Sequence, residues 1–236
     1  MAIDAPVART ALAAEGAELL PDGHPTMLEK LPDFVGHALR DQRAGIDQIA
    51  YRRLPLRGGQ GAIAVTSLAF VDHGPIPVAY TADGAGRSPP LQWHGVPAGA
   101  KSLVVIVEDA DSPTPHPLVH AIAVGLAPTE AALREGALDA AGEAPAEASL
   151  GRNSYLQHGW LAPDPPPGHG PHRYAFQVFA LAGKAAIPEA PGRDALMEVL
   201  AADAIASGCL VGTYERHDTS VRAEDAETVP VGAVQG

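Results

Sequence analysis

Three short stretches of this 236-residue chain carry side chains able to hold or move protons. The longest, Trp160 to Tyr174, gathers Asp164, His169, His172 and Tyr174 within a run of prolines and glycines. Prolines at 163, 165, 166, 167 and 171 remove amide donors and fix φ, whereas Gly168 and Gly170 allow conformations closed to other residues. This composition predicts an ordered loop rather than a helix or central strand. The second stretch, Asp109-Ala-Asp-Ser-Pro113, ends an apolar run, and its two carboxyls at i and i+2 share a direction if the backbone stays extended. The third is His120, flanked by Val119 and Ala121 and so a candidate buried imidazole. Imidazoles, a phenol and carboxyls on a stiff loop beside a rigid strand suit two chemistries: hydrogen bonding to an anion, or general acid–base work. No G-x-S-x-G elbow is present and Ser112 has no assigned base, so no nucleophile stands out. Asp109, Asp111, His120 and His172 are suitable donor types for a metal, but their spacing matches no metal motif, and no metal or cofactor is expected.

The elements that must position these residues are short. Apolar runs at 62–70, 76–80, 91–94, 102–108, 119–126 and 173–181 are separated by Pro and Gly clusters, which predicts antiparallel strands in a sandwich or barrel. Residues 129–135 read as a short helix capped by Thr129, 136–149 as an excursion, 194–206 as a helix, and 209–214 as a last strand. Upstream, Val35, Leu39, Gln42, Ile46, Ile49 and Arg53 advance by three or four and predict an amphipathic helix over about 33–54, capped by Thr26 or Asp33. The chain therefore divides into an N-terminal extension (1–58), a main domain (59–216) and a tail (217–236). Residues 1–25 are expected to be poorly ordered, although Leu19 and Leu20 could dock.

Charge narrows the partners. With 28 acidic against 16 basic residues and a net charge of -12, nucleic acid is excluded as an expected partner. Arginines at 40, 43, 52, 53 and 57 face only Asp41 and Asp47, a local basic excess that suits packing on the domain, a second copy in a homodimer, or a membrane surface. The single cysteine, Cys209, fits a reducing compartment and reads as a small buried hydrophobe. No run of about 18 apolar residues or leader pattern occurs, so a cytoplasmic protein without a transmembrane segment is expected.

The order Ser67-Leu-Ala-Phe70, Ser88-Pro-Pro-Leu-Gln-Trp93, Val107-Glu-Asp-Ala-Asp-Ser-Pro113, His120 and Pro165-Pro-Pro-Gly-His-Gly-Pro-His-Arg-Tyr174 resembles the phosphatidylethanolamine-binding protein family. The resemblance covers about residues 60–216 and is closest to the family's bacterial Raf-kinase-inhibitor-like branch. It implies a mainly β sandwich of two antiparallel sheets with a few short helices, to which the sequence adds the N-terminal amphipathic helix. It also implies a small anion pocket lined by Asp109, Asp111, Pro113, His120, His172 and Tyr174, closed by the turn containing Ala162, Asp164 and Pro166. Such a pocket would bind phosphate or a phospholipid head group and regulate a partner. The expected chemistry is donation by the imidazolium groups of His120 and His172, the Tyr174 phenol and backbone amides, with Asp109 keeping a histidine charged. Binding should then tighten as pH falls through about 6.5. Two departures from the family pattern bear on this: Ala110 replaces the proline of the usual Asp-Pro-Asp, and Asp164 puts a negative charge at the rim where the turn is usually glycine-rich. They favour a less charged or a cationic ligand.

Alternative readings are an enzyme using Asp109, His120 and His172 as acid–base groups, and a scaffold or membrane-surface protein acting through the basic helix. Among the remaining residues, His169 reads as a turn residue, Arg173 as a salt-bridge support for the loop, and Trp93 and Trp160 as core or pocket wall. His94, His116 and His158 read as exposed.

Overall fold

The computed structural model describes residues 33–216, apart from 57–58, 143–144, 146–147 and 184. The expectations for Thr26, for Leu19 and Leu20 and for the 217–236 tail lie outside the described residues. The order of elements is α1 (Asp33–Leu39), α2 (Ala50–Arg53), β1 (Ala64–Thr66), β2 (Gly74–Pro75), β3 (Leu91–His94), β4 (Ser102–Asp109), β5 (Leu118–Leu126), β6 (Ala132–Leu133), β7 (Ser149–Leu150), β8 (His172–Leu181), α3 (Arg193–Asp203) and β9 (Ala204–Tyr214).

The main sheet runs β2-β9-β8-β4-β5-β7 and faces a smaller sheet, β1-β3-β6. All pairings are antiparallel except β2 with β9. β4 is a near-continuous apolar run because both of its faces are covered. Leu103, Val105 and Val107 meet Phe176, Val178 and Trp93 between the sheets, whereas Val104 and Ile106 pack with Phe179, Leu196 and Leu200 under α3.

Four local expectations are corrected. Residues 76–80 are not a strand: Pro75 and Pro77 leave too few donors for a ladder, and Val78–Tyr80 is a 3-10 turn. Residues 129–135 are not a helix, because β6 extends the small sheet with Leu133 opposite Leu91, fastened by the Trp93 amide to the Ala131 carbonyl at 2.9 Å. The last strand begins at Ala204 rather than 209. The helix expected over 33–54 is divided into α1, a 3-10 turn at Ile46–Gln48, and α2. Gly45 takes a φ of 99°, and the amides of Ala44 and Gly45 donate to the carbonyls of Ser112 and Ala110 at 3.0 and 2.7 Å. The segment leaves helical geometry in order to bond to the acidic turn.

Candidate functional site

Strand register assembles the site. Asp109, the last residue of β4, is paired with Tyr174 of β8, so Asp109, His172 and Tyr174 project from the same face of the sheet. On β5, Val107 pairs with Ala121 but Glu108 pairs with Val119, which leaves His120 as the extra residue of a β-bulge. A bulge re-aims the side chain it carries, here toward that same face. A cavity of about 300 Å³ opens there, and Asp109, Pro113, His120, Ala162, Asp164, Pro166 and His172 all line it.

Two expected members stand elsewhere. Tyr174 is wholly buried, its ring edge-on to His120 at a centroid distance of 5.1 Å, and it forms the layer beneath the lining. Asp111 points away from the cavity. The backbone does not stay extended after Asp109: Asp109 Oδ1 accepts the Asp111 amide at 2.8 Å and closes a local turn. The Asp111 carboxylate instead receives Arg173 Nε and Nη2, each at 2.7 Å, and lies 3.2 Å from Arg43 Nη1. Burial pushes the Asp111 carboxyl up, but the hydrogen bonds and charge of Arg173, aided by Arg43, outweigh it and hold the group below the usual carboxylate range. Arg173 thus supports the loop through a salt bridge, as its position predicts.

The two site histidines differ. His120 Nδ1 lies 2.6 Å from the Leu161 carbonyl oxygen, so that nitrogen carries the proton. Burial lowers the pKa of the ring; the Asp109 charge and the Leu161 bond pull the other way without prevailing. His120 is therefore neutral near pH 7, and its Nε2 presents a lone pair rather than the expected N–H. Buried His120 Nε2, Tyr174 Oη and Trp160 Nε1 have no hydrogen-bond partner among the described residues. Burial also pushes the Tyr174 phenol well up, so it stays protonated.

His172 has both ring nitrogens engaged: Nδ1 with Asp109 Oδ2 at 2.7 Å, and Nε2 with His169 Nδ1 at 2.7 Å. His169 in turn donates from Nε2 to the Leu39 carbonyl at 2.8 Å. Burial, followed by the charge of His172, lowers the pKa of His169. A neutral His169 with its proton on Nε2 must accept at Nδ1, so His172 donates from Nε2 and shares one proton with Asp109. His172 lines the cavity with both ring nitrogens engaged inside the protein, and His169, read as a turn residue, is the next link in its chain.

Asp164 does not leave bare charge at the rim. It is ion-paired with Arg216, which also binds Asp83, with Arg216 Nη2 2.6 Å from Asp83 Oδ1. Among residues the sequence reading missed, Arg216 pairs with Asp164 at the rim, Tyr155 and Leu161 line the cavity, and Leu39 contributes a wall from outside the main domain. Trp160 lines the cavity, while His94, His116 and His158 are exposed. Cys209 lies away from the cavity, its thiol pushed up to about 12, chiefly by burial.

The model of the phosphatidylethanolamine-binding protein family matches residues 66–215. A UPF0098 protein of Pyrococcus abyssi is 35% identical over 159 residues, which span 67% of this chain and 88% of that protein. Among solved structures, a phosphatidylethanolamine-binding protein homologue of Chlamydia trachomatis matches with a TM-score of 0.59 at 37% identity, covering 66% of this chain and 99% of the other. Escherichia coli YbcL, described as a member of the mammalian family, matches with a TM-score of 0.62 at 30% identity over the same shares.

Proposed function

The chain belongs to the phosphatidylethanolamine-binding protein family, and from that premise we propose that its cavity binds a small anion, phosphate or a phosphorylated head group, that arrives carrying its own proton. The observation that carries this reading is the set of three buried, unpartnered polar atoms in and beneath the cavity wall: His120 Nε2, Tyr174 Oη and Trp160 Nε1. Leaving such groups unpaired is costly, at about 1–3 kcal/mol each. A phosphate monoanion matches the two in the lining, with its P–OH donating to the His120 lone pair while the Trp160 indole donates to an ionised oxygen. An ammonium on the head group is the other donor that suits His120. A dianion finds no lysine or arginine in the lining.

Binding is better supported than acid–base turnover, because both ring nitrogens of His172 are engaged internally and Ser112 Oγ is held by Thr114 Oγ1 at 2.7 Å. The test is calorimetric titration with methyl phosphate and with dimethyl phosphate, which has no proton to give, from pH 5.5 to 8. Methyl phosphate should bind about tenfold tighter than dimethyl phosphate near pH 6, one hydrogen bond's worth. Its affinity should fall as its second proton leaves around pH 6 and above, and His120→Ala should abolish the preference. Equal affinity for the two esters, or an affinity flat in pH, would overturn the proposal.

A further inference from the structure

The cavity is larger than its polar group needs: about 300 Å³ corresponds to roughly ten water volumes. Its two lining carboxylates are already paired, Asp109 with His172 and Asp164 with Arg216. Beyond them the wall is built by Leu39, Leu118, Trp160, Leu161 and Pro165. A ligand that filled only the polar end would leave that apolar wall uncovered.

Leu39 comes from α1, upstream of the family match at 66–215, yet it is fixed to the site rather than merely near it. Its carbonyl accepts His169 Nε2 at 2.8 Å. Arg43 donates to the carbonyls of His169 and Pro171, each at 2.9 Å, and Arg40 to that of Gly168 at 3.3 Å. Gly36 brings α1 so close that a Cβ there would collide with the Pro167 carbonyl oxygen. These contacts hold the half-buried Leu39 side chain at a set position in the cavity wall.

Resting on the binding reading above, we propose that the natural ligand is an acid with a short unbranched apolar chain, of the monoalkyl phosphate class, and that Leu39 determines the chain length accepted. An apolar wall rewards each buried methylene with about a fourfold gain in affinity until the chain meets its end. Leu39 is a wall residue that comes from upstream of the family match.

The test uses the full chain, a series of n-alkyl phosphates from methyl to octyl, and n-alkanols of the same lengths. Affinity should rise about fourfold per methylene to a cut-off. Leu39→Ala should move the cut-off to longer chains, Leu39→Phe to shorter ones, and Leu39→Met should leave it in place. A cut-off unchanged in all three variants, or no dependence on chain length, would overturn the role of Leu39. If alkanols bind with a Leu39-dependent cut-off while the phosphates do not bind, the length-setting wall stands and the phosphate head falls. If neither series binds, both proposals fall.

Discussion

A buried imidazole held at one nitrogen by a backbone carbonyl has its tautomer decided for it, and at His120 this reverses the sign of the site. The residue types were legible in the sequence, since a histidine isolated in an apolar strand and histidines and a tyrosine in a stiff proline-rich loop stand out by type. Whether each ring donates or accepts was not, because that depends on Leu161, Asp109 and His169, which lie 41, 63 and 3 positions away from their partners. Asp111 is the sharper case. It shares a two-residue spacing with Asp109 but not a direction, because Asp109 caps its own turn. Asp111→Asn should therefore leave ligand affinity within about twofold while costing about 2–3 kcal/mol at pH 7, since it weakens a buried ionic contact whose arginine partners remain partly hydrated. The folded pKa of Asp111 is depressed, so the native carboxylate stabilises the fold above its unfolded pKa of about 3.9 and loses that contribution as pH falls through the folded value. Urea midpoints of native and variant should differ at pH 7 and converge as pH falls through the folded value. A difference of the same size across that range would show that folding leaves the pKa of Asp111 unshifted.

At the level of elements, the clamp formed by α1 and the chain after it decides how firmly the proline-rich loop is held. The arginine excess suited packing on the domain, a second copy or a membrane surface. Two of those arginines, Arg40 and Arg43, reach carbonyls of the chain's own loop at 168–171. Periodicity revealed the apolar stripe over 33–54 but could not show that Gly45 breaks it, since glycine reads as weakened helix or as left-handed turn with equal ease. The same ambiguity hid β6, whose two paired residues carry no strand signal of their own. Arg43→Ala removes two hydrogen bonds to loop carbonyls and an ion pair with Asp111. It should cost about 1–3 kcal/mol. Hydrogen exchange locates the loss: the His169 amide, bonded to the Pro166 carbonyl at 3.1 Å, should exchange about ten- to a hundredfold faster than in the native protein. If the loss of stability is spread evenly over β4 and β8 instead, the clamp is not a local device.

For the molecule as a whole, the sandwich was legible because β4, β5 and β8 bury both faces and read as unbroken apolar runs bounded by turns. β9 was read too short because the helical spacing over 194–206 runs into its first three residues, and Ser207 and Gly208 after them are small. Smallness is required there, since a Cβ at Gly208 would collide with the Ile63 carbonyl oxygen. The division at residue 58 follows a real Gly-rich stretch, yet packing runs across it. Glu108, wholly buried on the face of β4 away from the cavity, is held by the Ala50 amide at 2.7 Å, Gln177 Nε2 at 2.8 Å and Arg193 Nε at 2.7 Å. The Tyr51 amide donates to Gln177 Oε1 at 2.6 Å, and Arg193 also donates to the Gln48 carbonyl at 2.6 Å. Ile49 and Ala50 are as buried as any strand residue. A chain lacking residues 1–58 would thus lose one of three partners of a buried carboxylate and the donor to a buried amide, at about 1–3 kcal/mol each. It would also lose the burial of Ile49, worth about 2 kcal/mol. The sum, about 4–8 kcal/mol, is a large share of the 5–15 kcal/mol that holds a typical domain. Its urea midpoint should fall far below that of the full chain, with Ile49→Ala in the full chain reproducing about 2–4 kcal/mol of the loss. A truncated protein with an unchanged midpoint would mean that the segment rests on a fold already complete without it; a large drop would place the true start of the folding unit upstream of the region shared with the family.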